Sequence, residues 1–511
     1  MEEASVEAVN LLAGQLTLTS GKTATVATTT GIARTVAAGR ARGFAFFVDK
    51  TLGAGEYRIE VTAKYAAVSA STHEGFLYAI QTLRQLMPVE VYGRKAVPDA
   101  GWKIPCVTIS DKPLYGWRGL HLDCSRHFFS VAEVKRYLDI MAIYKLNRFH
   151  WHLTDDQGWR VELKHYPELT QVGAFRDGTQ YTHNESDVDD VRYGGYYTQD
   201  QIREVIDYAG KLGIMVVPEI DLPGHMQAVL ATYPQLGCTG GPYEVRKIWG
   251  VSEDVLCGGK AGSYEFLRNV IEEVADLFPG PYFHIGGDEC PKVRWEKCPD
   301  CQAKIKELGL KGDPSRKNAG PEWELQSYMT AFVSDVLASK GKKLIGWDEI
   351  RYGGTKGDEI IMSWLGMKQA RAAVEEGLRI IACPINYCYY NFYQVKPYDE
   401  QPIAMGGYIP LEKAYSFDPF TPESPKKPER CIPEEYRSRV MGVQANLWAE
   451  FISSDEALEY QLLPRVMALS EVAWTDPQAK DYDAFRARVI ARQLPMLDIL
   501  GYNYCRDVLE H

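Results

Sequence analysis

From Leu114 onward, apolar runs of strand length alternate with stretches of helical periodicity, and the alternation continues almost to the end of the chain. Strand-like runs fall at 119–125, 148–155, 213–221, 282–289, 343–350, 359–365, 378–384 and 441–450. Helical stretches between them include 131–144, 199–212, 264–278, 325–339 and 369–376. Parallel strands need long crossovers, usually helical, and a sheet covered by helices is apolar on both faces. Eight such units predict an α/β fold of the (β/α)8 TIM-barrel type. The Pro-rich stretch 418–433 then reads as a long loop between the last two strands, and 482–500 as a helix packed on the barrel. The barrel domain is expected to occupy 113–511.

Residues 1–112 read as a smaller α+β support domain. Tyr57, Ile59 and Val61 alternate as in a half-buried strand. Phe76, Ala79, Ile80, Leu83, Leu86 and Met87 recur at helical spacing until Pro88 stops the run. At 511 residues and 45% hydrophobic content, the chain can bury a large core. Its net charge of −11 disfavours nucleic acid and anionic membranes as partners. No stretch is apolar enough to span a bilayer. The start, Met1-Glu-Glu-Ala-Ser5, lacks a basic region followed by an apolar one. The expectation is a mature periplasmic or secreted form, or a cytoplasmic protein.

In a barrel of this kind, polar side chains at the C-terminal strand ends build the active site. The ends here carry Asp123, Arg126 and His127, then His150, His152, Asp155 and Asp156, then the run from Glu219 to His225. Later ends carry Asp288 and Glu289, Trp347, Trp364, the Tyr389-Tyr390-Asn391 run, and Trp448 with Glu450. The Asp288-Glu289 pair follows Gly286 and Gly287, which let the backbone bend and a ligand come close. Adjacent carboxyls can split their pKa values, one ionised and one holding a proton, as glycoside hydrolysis requires. The three Trp would form an apolar box over the barrel axis, suited to a sugar face.

These motifs resemble glycoside hydrolase family 20, the β-N-acetylhexosaminidases. The matching stretches are Trp117-Arg-Gly-Leu-His-Leu-Asp-Cys-Ser-Arg-His-Phe128, His150-Trp-His-Leu-Thr-Asp-Asp-Gln157, Pro218-Glu-Ile-Asp-Leu-Pro-Gly-His225, His284-Ile-Gly-Gly-Asp-Glu289 and Leu447-Trp-Ala-Glu450. The resemblance implies exo-acting, retaining hydrolysis of terminal GlcNAc or GalNAc, in which the substrate's own 2-acetamido oxygen is the nucleophile. It implies Glu289 as acid and then base, and Asp288 as the group steering the acetamide N–H. It further implies Tyr389 as donor to the acetamide oxygen, and Asp155 with His225 as support for the acid. Arg126, Glu450 and Asn391 would read sugar hydroxyls, and Trp347, Trp364 and Trp448 would box the acetamide. Asn391 departs from the Asp of many bacterial members, which bears on gluco/galacto preference. The implied partners are N-acetylhexosamine-terminated glycans or chitooligosaccharides, with no cofactor.

Two other readings of the barrel stand beside this one. His121, His150, His152, His225 and His284 could hold zinc in a metal-dependent hydrolase, and a non-catalytic sugar-binding barrel would share the aromatic box. The eleven cysteines add Cys298-Pro-Asp-Cys301, a zinc-like spacing with Cys290 upstream but without a second such pair. A local disulfide or free thiols are expected instead, with Cys238 and Cys257 able to pair across a long loop, and no bound metal.

Overall fold

The computed structural model describes residues 1–509 apart from Glu2, Pro314 and Arg316, so the last two positions of the predicted barrel domain lie outside the described residues. The N-terminal sheet contains β1 (Gly43–Val48), β2 (Tyr57–Val61), β3 (Tyr65–Ala70) and β4 (Val107–Asp111), in the order β1-β3-β2-β4. β1 and β3 run parallel, and the other pairs are antiparallel. Tyr57, Ile59 and Val61 are buried and alternate with exposed Arg58 and Glu60, the pattern read from the sequence. The helix His73–Leu86 covers this sheet. Thr72 caps it by accepting from the Gly75 N–H, a contact worth about 1 kcal/mol. A first helix, Glu3–Ser20, was not foreseen. It buries only Ala8 and Leu12 among its larger apolar residues, so its periodic signal is weak.

The barrel strands are β5 (Trp117–Asp123), β6 (Arg148–His152), β7 (Met215–Glu219), β8 (Tyr282–His284), β9 (Lys343–Trp347), β10 (Ile360–Ser363), β11 (Arg379–Ala382) and β12 (Val440–Leu447). They form a closed barrel in which every pair is parallel. Closure is by β12 on β5, from Gly442 opposite Trp117 to Leu447 opposite Leu122. The crossover helices include Val131–Ile143, Gln199–Lys211, Ala261–Leu277, Pro321–Ser339 and Met367–Glu375. Capping boxes at Ser130/Glu133 and Thr198/Gln201 satisfy the otherwise orphaned first N–H groups of two of them. Near the C-terminus the helical path from Tyr482 to Leu500 opens into a wider π turn at Val489–Gln493, just before Pro495, which has no N–H to offer the preceding turn.

The support domain is tied to the barrel by polar contacts at a shared seam. Lys145 donates to the Tyr57 hydroxyl at 2.8 Å, and Arg118 to the Tyr78 hydroxyl at 2.6 Å. Asp111 accepts from Tyr57 at 2.6 Å and from the Trp474 indole at 2.9 Å. No helix among the described residues is long and apolar enough to cross a membrane.

Candidate active site

The predicted fourth strand reached Glu289, but β8 ends at His284. The reason lies in the two glycines, which adopt left-handed φ of +64° and +92° and turn the chain across the barrel mouth. Their freedom serves close protein packing. A Cβ on Gly286 would lie 1.8 Å from Asp221 Oδ1, and one on Gly287 would lie 2.3 Å from Ile350 Cγ2. Gly286→Ala should therefore cost about 2–4 kcal/mol. A urea titration reads this directly, and a loss below about 0.5 kcal/mol would mean that the bend rebuilds easily.

Two other residues at this mouth also have positive φ: His225 (+52°) and Glu289 (+41°). Such conformations cost energy in non-glycine residues and persist where the surroundings fix them. Here those surroundings include Gln326, which donates to the Gly287 carbonyl at 2.7 Å, and Asp221, which accepts from the Gly287 N–H at 3.1 Å.

The turn separates the two acids by environment. Asp288 is buried, whereas the Glu289 side chain is 41% exposed at the rim. His225 Nε2 stands 3.9 Å from Asp288 and 3.6 Å from Glu289, within ion-pair reach of both. Its Nδ1 meets Asp155 Oδ1 at 3.1 Å. Asp155 also meets His152 at 2.9 Å and Arg126 at 3.0 Å. Burial alone would raise the Asp155 pKa, but Arg126 and His225 hold its carboxyl well below the usual range. Burial likewise opposes a charge on His225, yet Asp155 raises its pKa well above 6.5. Asp155, His225 and Glu289 thus form a charged line from the barrel interior to its rim.

The two carboxyls shift in opposite directions. Burial pushes the Asp288 carboxyl up to about 7, with the Glu289 charge adding to the effect against the pull of His225. Burial would also raise Glu289, but the hydrogen bond and charge of His225 outweigh it and lower its pKa. Without a sugar in place, the shared proton therefore favours Asp288.

The aromatic groups form a connected wall. Trp347 and Trp448 have ring centroids 5.8 Å apart, Trp448 and Tyr389 6.5 Å, and Tyr389 stacks on Trp364 at 6.0 Å. Trp347 is held by its indole N–H donating to Glu219 at 3.0 Å, and Trp364 by donating to Glu349 at 3.1 Å. Burial keeps the Tyr389 hydroxyl protonated, so it remains a donor. Arg126 lies over Trp448 at 5.2 Å and is fixed by Asp123, Asp155 and Gln157. That leaves two of its five N–H groups for other partners. Glu450 is buried near Arg126 with Oε2 unpartnered, and its burial pushes the carboxyl up to about 7. Asn391 follows Tyr389 on the loop after β11, whose Tyr390 N–H donates to the Asn446 carbonyl at 2.8 Å. Asn391 is almost wholly buried, and its Oδ1 is unpartnered.

The interior beneath this wall is polar, unlike the branched apolar layers usual for the fold. Glu219 accepts from or pairs with His152 at 2.6 Å, His150 at 2.9 Å, His284 at 3.0 Å and Trp347 at 3.0 Å. Three of the histidines considered as zinc ligands are thus engaged with one carboxylate at hydrogen-bond distance. Glu219, together with Asp221, Asp348 and Glu349, was not assigned from the sequence. Asp348 accepts from the backbone N–H groups of Trp364 and Leu365 and from the Ser363 hydroxyl, fixing the turn that carries Trp364. The signal for Glu219 was present as a carboxylate inside an apolar strand.

The profile described as "Glycosyl hydrolase family 20, catalytic domain" matches residues 115–477, and that for domain 2 of the same family matches 2–112. A β-hexosaminidase of Porphyromonas gingivalis is 43% identical over 88% of this chain and 54% of its own length. One of Vibrio furnissii is 36% identical over 82% of this chain and 65% of its own. The chain thus spans about half to two thirds of the length of these relatives. An Akkermansia muciniphila β-hexosaminidase is 33% identical over 89% of the chain and 86% of its own length. Among solved structures, an exo β-N-acetylglucosaminidase from Vibrio harveyi bound to N-acetylglucosamine is 34% identical, with a TM-score of 0.81, covering 99% of this chain and 74% of its own. With both family domains matched in order and the barrel mouth assembled as described, the chain belongs to glycosyl hydrolase family 20.

Proposed function

We propose that the protein is an exo-acting β-N-acetylhexosaminidase that removes terminal GlcNAc or GalNAc with retention of configuration. Its substrates are N-acetylhexosamine-terminated glycans or chitooligosaccharides. The carrying observation is the pair of adjacent acids with unlike environments, Asp288 buried and Glu289 at the rim. Two carboxyls that flank a sugar as acid and nucleophile sit about 5–5.5 Å apart on opposite faces. Neighbouring residues on one turn do not bracket a ring in that way. A nucleophile supplied by the substrate removes the need, and the 2-acetamido oxygen is correctly placed on the sugar itself.

In this reading the acetamide lies between Trp347, Trp364 and Trp448. The Tyr389 hydroxyl donates to the acetamide oxygen, and Asp288 accepts from its N–H. That hydrogen bond favours the ionised form of Asp288, while the sugar covering Glu289 removes water and favours its protonated form. The proton on Asp288 in the free enzyme is thereby transferred to Glu289 without a change in total charge. Glu289 protonates the leaving oxygen as the acetamide oxygen attacks C1. The leaving group departs with that proton, and a cyclic oxazolinium forms, stabilised by Asp288. Glu289 then takes a proton from water, which opens the ring with net retention. Arg126, Glu450 and Asn391 bind hydroxyls of the terminal sugar.

Aryl N-acetylglucosaminides, N-acetylgalactosaminides and plain glucosides test the reading directly. Turnover should require the 2-acetamido group, and NMR should show the β-anomer released first. Efficient cleavage of the plain glucoside, or release of the α-anomer, overturns it. No turnover of any of the three would favour a non-catalytic sugar-binding barrel.

A further inference from the structure

Cys238, Cys257, Cys298 and Cys301 are far apart in sequence but meet in one cluster, with all four Sγ atoms within 4.8 Å of one another. Cys257 lies 3.5 Å from Cys301 and 3.7 Å from Cys298, and Cys238 lies 3.9 Å from Cys301. A tetrahedral ZnS4 centre with Zn–S of about 2.3 Å has sulfur–sulfur edges of about 3.8 Å, whereas a disulfide is about 2.05 Å. All four are free thiols, so of the two alternatives, a local disulfide or free thiols, the structure shows the second, and Cys290 is outside the cluster. Cys257, Cys298 and Cys301 are buried, and Cys238 is half-buried. We infer that these four cysteines form a structural zinc site, a ligand set that revises the expectation of no bound metal.

The surroundings fit a thiolate centre. Cys298 precedes the ten-residue helix Pro299–Leu308, and Cys301 lies in its first turn, where the free N–H groups and helix dipole favour negative charge. Gly259 packs directly on this turn: a Cβ there would lie 2.1 Å from the Asp300 carbonyl carbon and 2.4 Å from the Cys301 nitrogen. The Cys257 N–H donates to the Leu236 carbonyl at 2.9 Å, aligning the two arms that carry Cys238 and Cys257. Binding replaces four S–H protons, which leave to solvent, with one Zn2+. Four protein ligands leave no open position, so the centre is structural and not hydrolytic.

Its place in the fold gives it a role. Cys238 and Cys257 lie on the segment that follows β7 and His225, and Cys298 and Cys301 on the segment that follows β8 and the Asp288-Glu289 turn. The Leu256 N–H donates to the Pro223 carbonyl at 2.9 Å, and the Trp295 indole donates to the Leu256 carbonyl at 2.9 Å. The metal would clamp together the two loops that present His225 and the acids.

The test is metal analysis of the wild-type protein purified without chelator. About one zinc per chain is expected, released by a thiol-modifying mercurial in step with loss of four thiols. Cobalt exchanged into the protein should give the visible and near-ultraviolet bands of a tetrahedral thiolate complex. The Cys298→Ser/Cys301→Ser double variant should lose the metal and melt at lower temperature. If that variant does not fold, the wild-type stoichiometry and cobalt spectrum still decide. Wild-type protein that carries no zinc and takes up none on dialysis against it overturns the inference, as do disulfides among these four residues in a peptide map.

Discussion

Asp288→Asn should lower kcat by about 10²–10³ on every substrate, including aryl glycosides with good leaving groups. Glu289→Gln should lose about 10²–10⁴ on natural glycosides but far less on activated aryl ones. The contrast follows from where the side chains sit. Asp288 is buried, and in the proposed mechanism it acts on the attack, which every substrate needs. Glu289 is at the rim, where its proton matters in proportion to the basicity of the leaving oxygen. The pH profile adds a second constraint. In the proposed mechanism the competent complex carries one proton on the pair, and in the free enzyme that proton sits on Asp288, whose burial raises its pKa to about 7. Because kcat/KM reports the free enzyme, activity should fall as pH rises through about 7 and that proton is lost. In Asp288→Asn this basic limb should move, because the titrating carboxyl is gone. An unchanged limb, or near-normal rates of Asp288→Asn on activated substrates, would assign the pair differently.

The barrel was legible because eight apolar runs separated by helical periods admit few architectures, and all eight runs lie on the observed strands. Strand ends were harder. The runs through Glu289 and Ile350 overshoot: β8 stops at His284, just before the left-handed turn at Gly286, and β9 stops at Trp347, before a 3₁₀ turn at Asp348. Hydrophobicity does not report a left-handed φ. The line through Asp155, His225 and Glu289 was assigned by motif resemblance, and its distances required the folded loops. The direction of the proton between Asp288 and Glu289 was not legible, since it depends on which carboxyl the turn buries. The cysteine cluster was hidden for another reason: its ligands lie on two loops that meet only once β7 and β8 are adjacent. Spacing along the chain exposes a metal site only when ligands come in local pairs, and here only Cys298 and Cys301 do.

Glu219→Ala should destabilise the fold by about 3–5 kcal/mol, the cost of removing one partner from a buried charge network. Burial disfavours the Glu219 charge, but His152, His284 and His150 together hold its carboxyl well below the usual range. His152 gains in return: burial would make it neutral, but Glu219 raises its pKa well above 6.5. The depressed Glu219 stabilises the fold above its unfolded pKa, about 4.3, and that gain is lost as pH falls through the folded value. The raised His152 stabilises the fold below its unfolded pKa, about 6.5, and that gain is lost as pH rises through the folded value. The deficit of the variant should therefore be largest between about pH 4.3 and 6.5 and shrink on either side. His150 acts in the opposite sense, because burial lowers its pKa to about 4. The unfolded chain takes up that proton first, so even the wild type should weaken as pH drops from about 6.5 towards 4. Urea titrations of both proteins at pH 5, 7 and 9 separate these contributions. Glu219 also accepts the Trp347 indole N–H, so any folded variant should bind the acetamide less well and show a raised KM for N-acetylhexosaminides. A variant that loses less than about 1 kcal/mol at pH 5 and keeps its KM would mean that the histidines hold the barrel interior without their carboxylate.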